Sequence, residues 1–307
     1  MSLTVVGTMA FDEIETPFGK SGRIIGGSAT YIAWAASNFV KPINQVSVVG
    51  EDFPAAELHA LTAKGVKLDG VQIKKNEKSF YWSGKYHMDM NTRDSLATEL
   101  NVLADFQPVI PESYQGSEFL ILGNLTPQVQ MSVLDQMKER PKLIVMDTMN
   151  FWMEVAMEDL LKVLKKVDVL MVNDSEARQL SGEYSLVKAA RKILTMGPRY
   201  LIIKKGEHGA LLFSENHVFF APAMPLDDVF DPTGAGDTFA GGFIGYLAKT
   251  KDISFENMKT AIIVGSAMAS FCVEKFGTDR IREVNHDDIT TRIEQFVQLV
   301  NFDIDLV

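Results

Sequence analysis

The chain has 307 residues, with 30 Lys and Arg against 40 Asp and Glu, a formal net charge of −10. That balance argues against a nucleic-acid partner, which needs a basic surface, and leaves any anionic ligand to local cations. The apolar share is 46%, yet no run is long enough to span a bilayer, so a globular chain with no membrane partner is expected. The one cysteine, Cys272, cannot form an internal disulfide, the five histidines show no metal-ligand spacing, and the start lacks a secretory pattern. A cytoplasmic setting fits.

Short β-rich runs alternate with helical patterns along most of the chain. Strands are expected at 3–7, 45–50, 118–123, 142–147, 168–173 and 199–204, and helices at 28–39, 54–64, 127–140, 153–165 and 185–195. Near-continuous apolar strands alternating with helices imply a mostly parallel sheet covered on both faces. Several strands end in Gly, Asp or Asn (Gly7, Gly50, Gly123, Asp147, Asn173), and open parallel sheets bind ligands beyond their carboxyl ends. Two extended, alternating segments, 16–25 and 71–90, break the pattern and suggest a small β lid. Its aromatic residues Phe80, Tyr81, Trp82 and Tyr86 are open to three roles: the lid's own packing face, a homodimer contact through the lid, or substrate contact. Alternation sends Tyr81 and Trp82 to opposite faces, so at most one of them faces a cleft.

Asp231-Pro232-Thr233-Gly234-Ala235-Gly236-Asp237 is the most informative run. Asp followed by Pro suits a helix start, and two glycines then fall in the first turn, where each costs roughly 1 kcal/mol relative to alanine. Glycine there leaves backbone N–H groups bare, so an anion can approach them with the helix dipole in its favour. A carboxylate beside such an anion hole can take a proton from a hydroxyl while the amides hold a phosphoryl group. That combination is a kinase site.

The run closely resembles the carboxy-terminal signature of the ribokinase-like kinases, the phosphofructokinase-B (PfkB) family, which phosphorylate sugars and nucleosides with ATP. The resemblance covers essentially the whole chain. It implies a three-layer α/β fold over 1–307 with lid segments near 13–25 and 70–96. It implies that Asp237 is the catalytic base and that the amides of Gly234, Ala235 and Gly236 form the anion hole. Asp12, after the first strand, and Gly26-Gly27-Ser28, opening a helix, occupy the family's acceptor-binding places, although Asp12 alone reads equally as a turn residue. Tyr31 stands where sugar-kinase relatives commonly place Asn, and Asp147-Thr-Met-Asn150 departs from their Asp-x-Asn-x-Arg run.

Asn173-Asp-Ser-Glu176 matches the family's Asn-x-x-Glu motif, which places Asn173 near the nucleotide phosphates and Glu176 in a Mg2+ network through water; the same residues also read as a helix capping box. Lys205-Gly206-Glu-His-Gly209 resembles the hairpin beside the nucleotide, and Lys204 is either a nucleotide-binding cation or a solvated surface lysine. Gly265 and Gly277 lie where relatives close over adenine and bind a monovalent cation, with Asp231 and Thr233 as potassium ligands; helix packing explains Gly265 equally well. A P-loop is excluded because Ile14 stands at the glycine position preceding Gly19-Lys20-Ser21, and neither a dinucleotide fingerprint nor a His-Arg-Asp loop is present. The expectation is an ATP-dependent sugar kinase, with a nucleoside kinase or a catalytically silent ligand-binding relative as alternatives.

Overall fold

The structure is a computed structural model and describes residues 2–301. Among these residues the chain forms two sheets. The strands, in chain order, are β1 Leu3–Val6, β2 Ala10–Thr16, β3 Gly19–Gly26, β4 Ile43–Gly50, β5 Val66–Lys74, β6 Phe80–Tyr86, β7 Arg93–Glu99, β8 Phe119–Leu122, β9 Leu143–Asp147, β10 Val169–Asn173, β11 Tyr200–Lys204, β12 Ala210–Phe213 and β13 Val218–Ala221.

The large sheet has the order β13-β12-β11-β10-β9-β8-β1-β4-β5. It is parallel from β5 to β11 and antiparallel for the closing hairpin β11-β12-β13. Residues of β1, β4, β8, β9 and β10 are buried on both faces, which is why these strands read as apolar runs rather than alternations. One face packs against helices Ser28–Ala36, Ala235–Thr250 and Phe255–Cys272, the other against helices that include Met157–Leu164 and Leu186–Leu194. The carboxyl ends of β9, β10 and β11, at Asp147, Asn173 and Lys204, open onto one side, where the helix Ala235–Thr250 begins.

The lid is the second sheet, ordered β3-β2-β6-β7. It begins at Ala10 rather than near 13, so Asp12 lies on a lid strand. Residues 70–74, expected in the lid, belong instead to β5 at the edge of the large sheet, paired in parallel with β4. The reason is physical: an edge strand with one solvated face alternates in polarity as a lid strand does, and β5 does so. The helix expected at 153–165 is two helices, Asn150–Val155 and Met157–Leu164.

Candidate active site

The helix Ala235–Thr250 starts three residues later than its sequence suggests. Gly234 is its N-cap with φ 74, a left-handed conformation that suits glycine, and a Cβ there would overlap the ring of Tyr31. This turn stops the helix from running back to Asp231-Pro232, so Asp231 is not a cap. It is fully buried, and its two carboxylate oxygens accept the amides of Thr233 (2.8 Å) and Gly277 (2.9 Å), clasping two loops together. Each oxygen accepts one amide, and a carboxylate has further lone pairs beyond these two bonds. The Ala235 amide also departs from expectation, because it donates to the Pro232 carbonyl at 3.2 Å. The first-turn amides of Gly236 and Asp237 are the ones left to an anion.

Asp237 sits in that first turn beside four other charged groups, Asp147, Lys204, Arg93 and Glu176. Burial pushes its carboxyl up to about 7, Asp147 adds to the shift, and Lys204 and Arg93 oppose it. Lys204, at the end of β11, places Nζ 2.7 Å from Asp147 Oδ2, and a Cβ on Gly236 would lie 3.0 Å from the same Nζ. Lys204 is therefore not a solvated surface lysine. Burial alone would lower its pKa, but Asp147 and then Glu176 hold it above the ordinary lysine value. Asn173 and Glu176 form the reciprocal capping box: Asn173 Oδ1 accepts the Glu176 amide at 2.8 Å, and Glu176 Oε2 accepts the Asn173 amide at 2.7 Å. Burial, then Asp147, raises the Glu176 carboxyl to about 7. Its Oε1 is left by the cap, so capping does not exhaust the side chain.

Across from these groups, β2 presents Asp12, only 5% exposed and raised to about 7 by burial, then by Asp231 and Asp237. Gly26 abuts its carboxylate so closely that any Cβ would displace it, and the Gly27 amide donates to it. Gly26 thus houses Asp12, while a Cβ on Gly27 would meet the backbone of Thr8 and Ala10. The Ser28 hydroxyl accepts the Thr8 amide (3.1 Å) and lies 3.3 Å from the Thr8 hydroxyl, joining helix to strand end. Tyr31 does not line the cleft. It is 1% exposed, its ring props Gly234, and its hydroxyl has no partner among the described residues.

The lid reaches the body through β6. Asp12 and Trp82 are register partners, and Trp82, Gly84 and Tyr86 alternate onto one face, where Tyr86 and Thr233 hydroxyls meet at 3.2 Å. Tyr81 points the other way, its hydroxyl donating to Glu13 at 2.9 Å. Trp82 Nε1 donates to Ser95 Oγ at 3.0 Å. Arg93, the register partner of Tyr86, lies 5.7 Å from the Trp82 ring centroid and acts electrostatically on Asp12, Asp237 and Glu176. Sequence reasoning missed Arg93; continuing the two-residue alternation of Trp82 and Tyr86 around the hairpin would have found it.

A cavity of about 640 Å³ adjoins the helix start. Lys204, Gly206, Gly209, Gly236, Phe239 and Ser266 are among its walls. Gly265 is not, since its α-carbon faces the carbonyl of Phe239, where a Cβ would lie 2.8 Å away; it is a helix-packing glycine. The cavity has the size of small-molecule sites and meets the open amides at one end. Among the described residues no three acidic, histidine or cysteine side chains gather as a metal cage. No helix among the described residues is long and apolar enough to cross a membrane.

The comparisons with known proteins bear on the fold and the family. The chain is 29% identical to a cytidine kinase of Thermococcus kodakarensis over 80% of this chain and 88% of that protein. Its fold matches the crystal structure of a nucleoside kinase of Methanocaldococcus jannaschii, described as an archaeal member of the ribokinase family, with TM-score 0.76, 19% identity and coverage of 96% and 98% of the two chains. It also matches an E. coli structure solved with ATP and Mg2+, with TM-score 0.76, 20% identity and coverage of 97% and 99%. The model of the pfkB family of carbohydrate kinases matches residues 11–284, nearly the whole of the described chain, and the protein belongs to that family.

Proposed function

We propose that the protein transfers the terminal phosphoryl group of ATP to a hydroxyl of a nucleoside. Asp237 takes the proton of the attacking hydroxyl, and the Gly236 and Asp237 amides hold the phosphoryl oxygens in the field of the helix start. Mg2+, met by Glu176 through water, would neutralise charge on the donor's phosphates. Asp12 reads a pair of acceptor hydroxyls, as a carboxylate accepting two hydrogen bonds does. Gly206 and Gly209 flank the donor, and the lid excludes water so that the donor is not simply hydrolysed. A monovalent cation near Asp231 and Thr233 belongs to the same proposal.

The observation that carries the nucleoside reading is Trp82. It stands in register with Asp12 on the cleft side of the lid, its indole fixed by Ser95. A ribose on Asp12 would bring its base towards that ring, and base–aromatic stacking contributes roughly 1–3 kcal/mol. The similarity to a cytidine kinase supports the same reading. A free sugar is the second reading, since Asp12 serves either. A panel of nucleosides and monosaccharides assayed for ATP consumption separates them: turnover of sugars with none of any nucleoside would defeat the nucleoside assignment.

A further inference from the structure

The charges around the helix start are unbalanced. Five carboxylates lie close enough to act on one another there: Asp147 and Glu176 act on Asp237, and Asp231 and Asp237 act on Asp12. Against them stand Arg93, exposed on the lid, and Lys204, fixed in the body. The Lys204 side chain is 19% exposed and its partner Asp147 is 9% exposed. Asp147 is itself held, with Oδ1 accepting the Thr148 amide at 2.7 Å. Lys204 is also the register partner of Asn173, so β11 sets it beside the Asn173–Glu176 turn. Its Nζ lies against Gly236, within the wall of the cavity.

A structural reading treats the pair as a fold-stabilising ion pair. Buried pairs are weak net stabilisers, and this one is directed at a cavity rather than into the apolar core. We infer that Lys204 is a catalytic residue whose Nζ donates to the oxygens of the transferred phosphoryl group, with Asp147 as the positioning residue that holds it against Gly236. The inference rests on the kinase reading above and adds to it the group that complements the helix amides. The acceptor oxygen forms its bond to phosphorus as the bond to the donor's bridging oxygen breaks. The acceptor proton goes to Asp237, and Lys204 keeps its own protons throughout. Asp147 holds the ammonium at the place where charge is transferred, so little reorganisation is needed.

The test compares Lys204→Gln with the neutral pair Asp147→Asn/Lys204→Gln, which keeps an amide–amide contact should the single variant leave Asp147 unpaired and fail to fold. Three quantities are read: thermal melting, kcat, and the dissociation constants of ADP and of the non-hydrolysable ATP analogue AMP-PNP. The neutral pair is expected to melt as wild type does and to bind ADP as wild type does. It should lose about tenfold or more in AMP-PNP affinity, the effect of one charge-assisted hydrogen bond, and about 10²–10³-fold in kcat. An unchanged AMP-PNP to ADP ratio with kcat within about threefold of wild type would overturn the inference. So would an equal loss for both nucleotides, which marks a merely structural pair. Asp237→Asn, measured alongside, keeps the two readings apart: if it abolishes turnover while the Lys204 variants do not, the kinase reading stands and this one falls.

Discussion

Replacing Asp237 with Asn should make the protein more stable while nearly abolishing its activity. In the folded chain the Asp237 carboxyl is raised from 3.8 to about 7, burial being the largest cause and Asp147 the next. The folded state therefore holds a proton that the unfolded state releases near pH 4, so ionisation destabilises the fold increasingly between about pH 4 and about pH 7. The full displacement corresponds to roughly 4 kcal/mol at pH 8. Asp237 is only half-buried, and solvent at the cleft screens its charge, so a gain of about 1–2 kcal/mol is expected. Urea unfolding of wild type and Asp237→Asn at pH 5 and pH 8 measures it, and the variant's advantage should be larger at pH 8. Turnover should fall about 10²–10⁴-fold with the loss of general-base catalysis. A variant less stable than wild type at pH 8, or one that turns over within about threefold of it, would refute the reasoning.

The rate should follow the same ionisation, with kcat/KM climbing from pH 5 and levelling above about 7, because the base works only when deprotonated; initial rates that are highest at pH 5 would contradict it. Trp82→Ala should raise the nucleoside KM by roughly 5–150-fold, the equivalent of one lost base stack, with the ATP KM nearly unchanged; an equal effect on both would remove the stacking role. Gly234→Ala, which sets a Cβ into the Tyr31 ring at a left-handed φ, should lower both melting temperature and turnover, and a variant as stable and active as wild type would deny Tyr31 its supporting role. Potassium should stimulate turnover more than sodium, and equal rates in potassium, sodium and a bulky organic cation would dismiss the monovalent site.

Much of this was legible from the chain. The parallel core followed from apolar runs because strands buried on both faces have no polar side to alternate. The Gly234–Asp237 run pointed to an anion hole because glycine is costly in a first turn unless something must approach its amides. The Asn173–Glu176 turn was read as both cap and ligand, and its geometry leaves room for both. What stayed hidden depends on contacts between distant residues. Nothing local to Lys204 announces Asp147, which is 57 positions away. Spacing from the glycine pair puts Tyr31 where relatives commonly place Asn, but spacing cannot show that its ring lies against Gly234. Ser28, Gly26 and Gly27 are similar: the Ser28 hydroxyl meets Thr8, and a Cβ would meet Asp12 at Gly26 and the Thr8 carbonyl at Gly27. The lid boundary failed because β5, half-solvated at an edge, carries the same period of two as the true lid strands.

The central claim is phosphoryl transfer from ATP to a nucleoside, and the most direct measurement is the mass of the product. The protein incubated with ATP, Mg2+ and potassium should convert cytidine or another nucleoside to its monophosphate in step with ADP release, and Asp237→Asn should not. Formation of a sugar phosphate, with no nucleoside monophosphate from any nucleoside in the panel, would contradict the account.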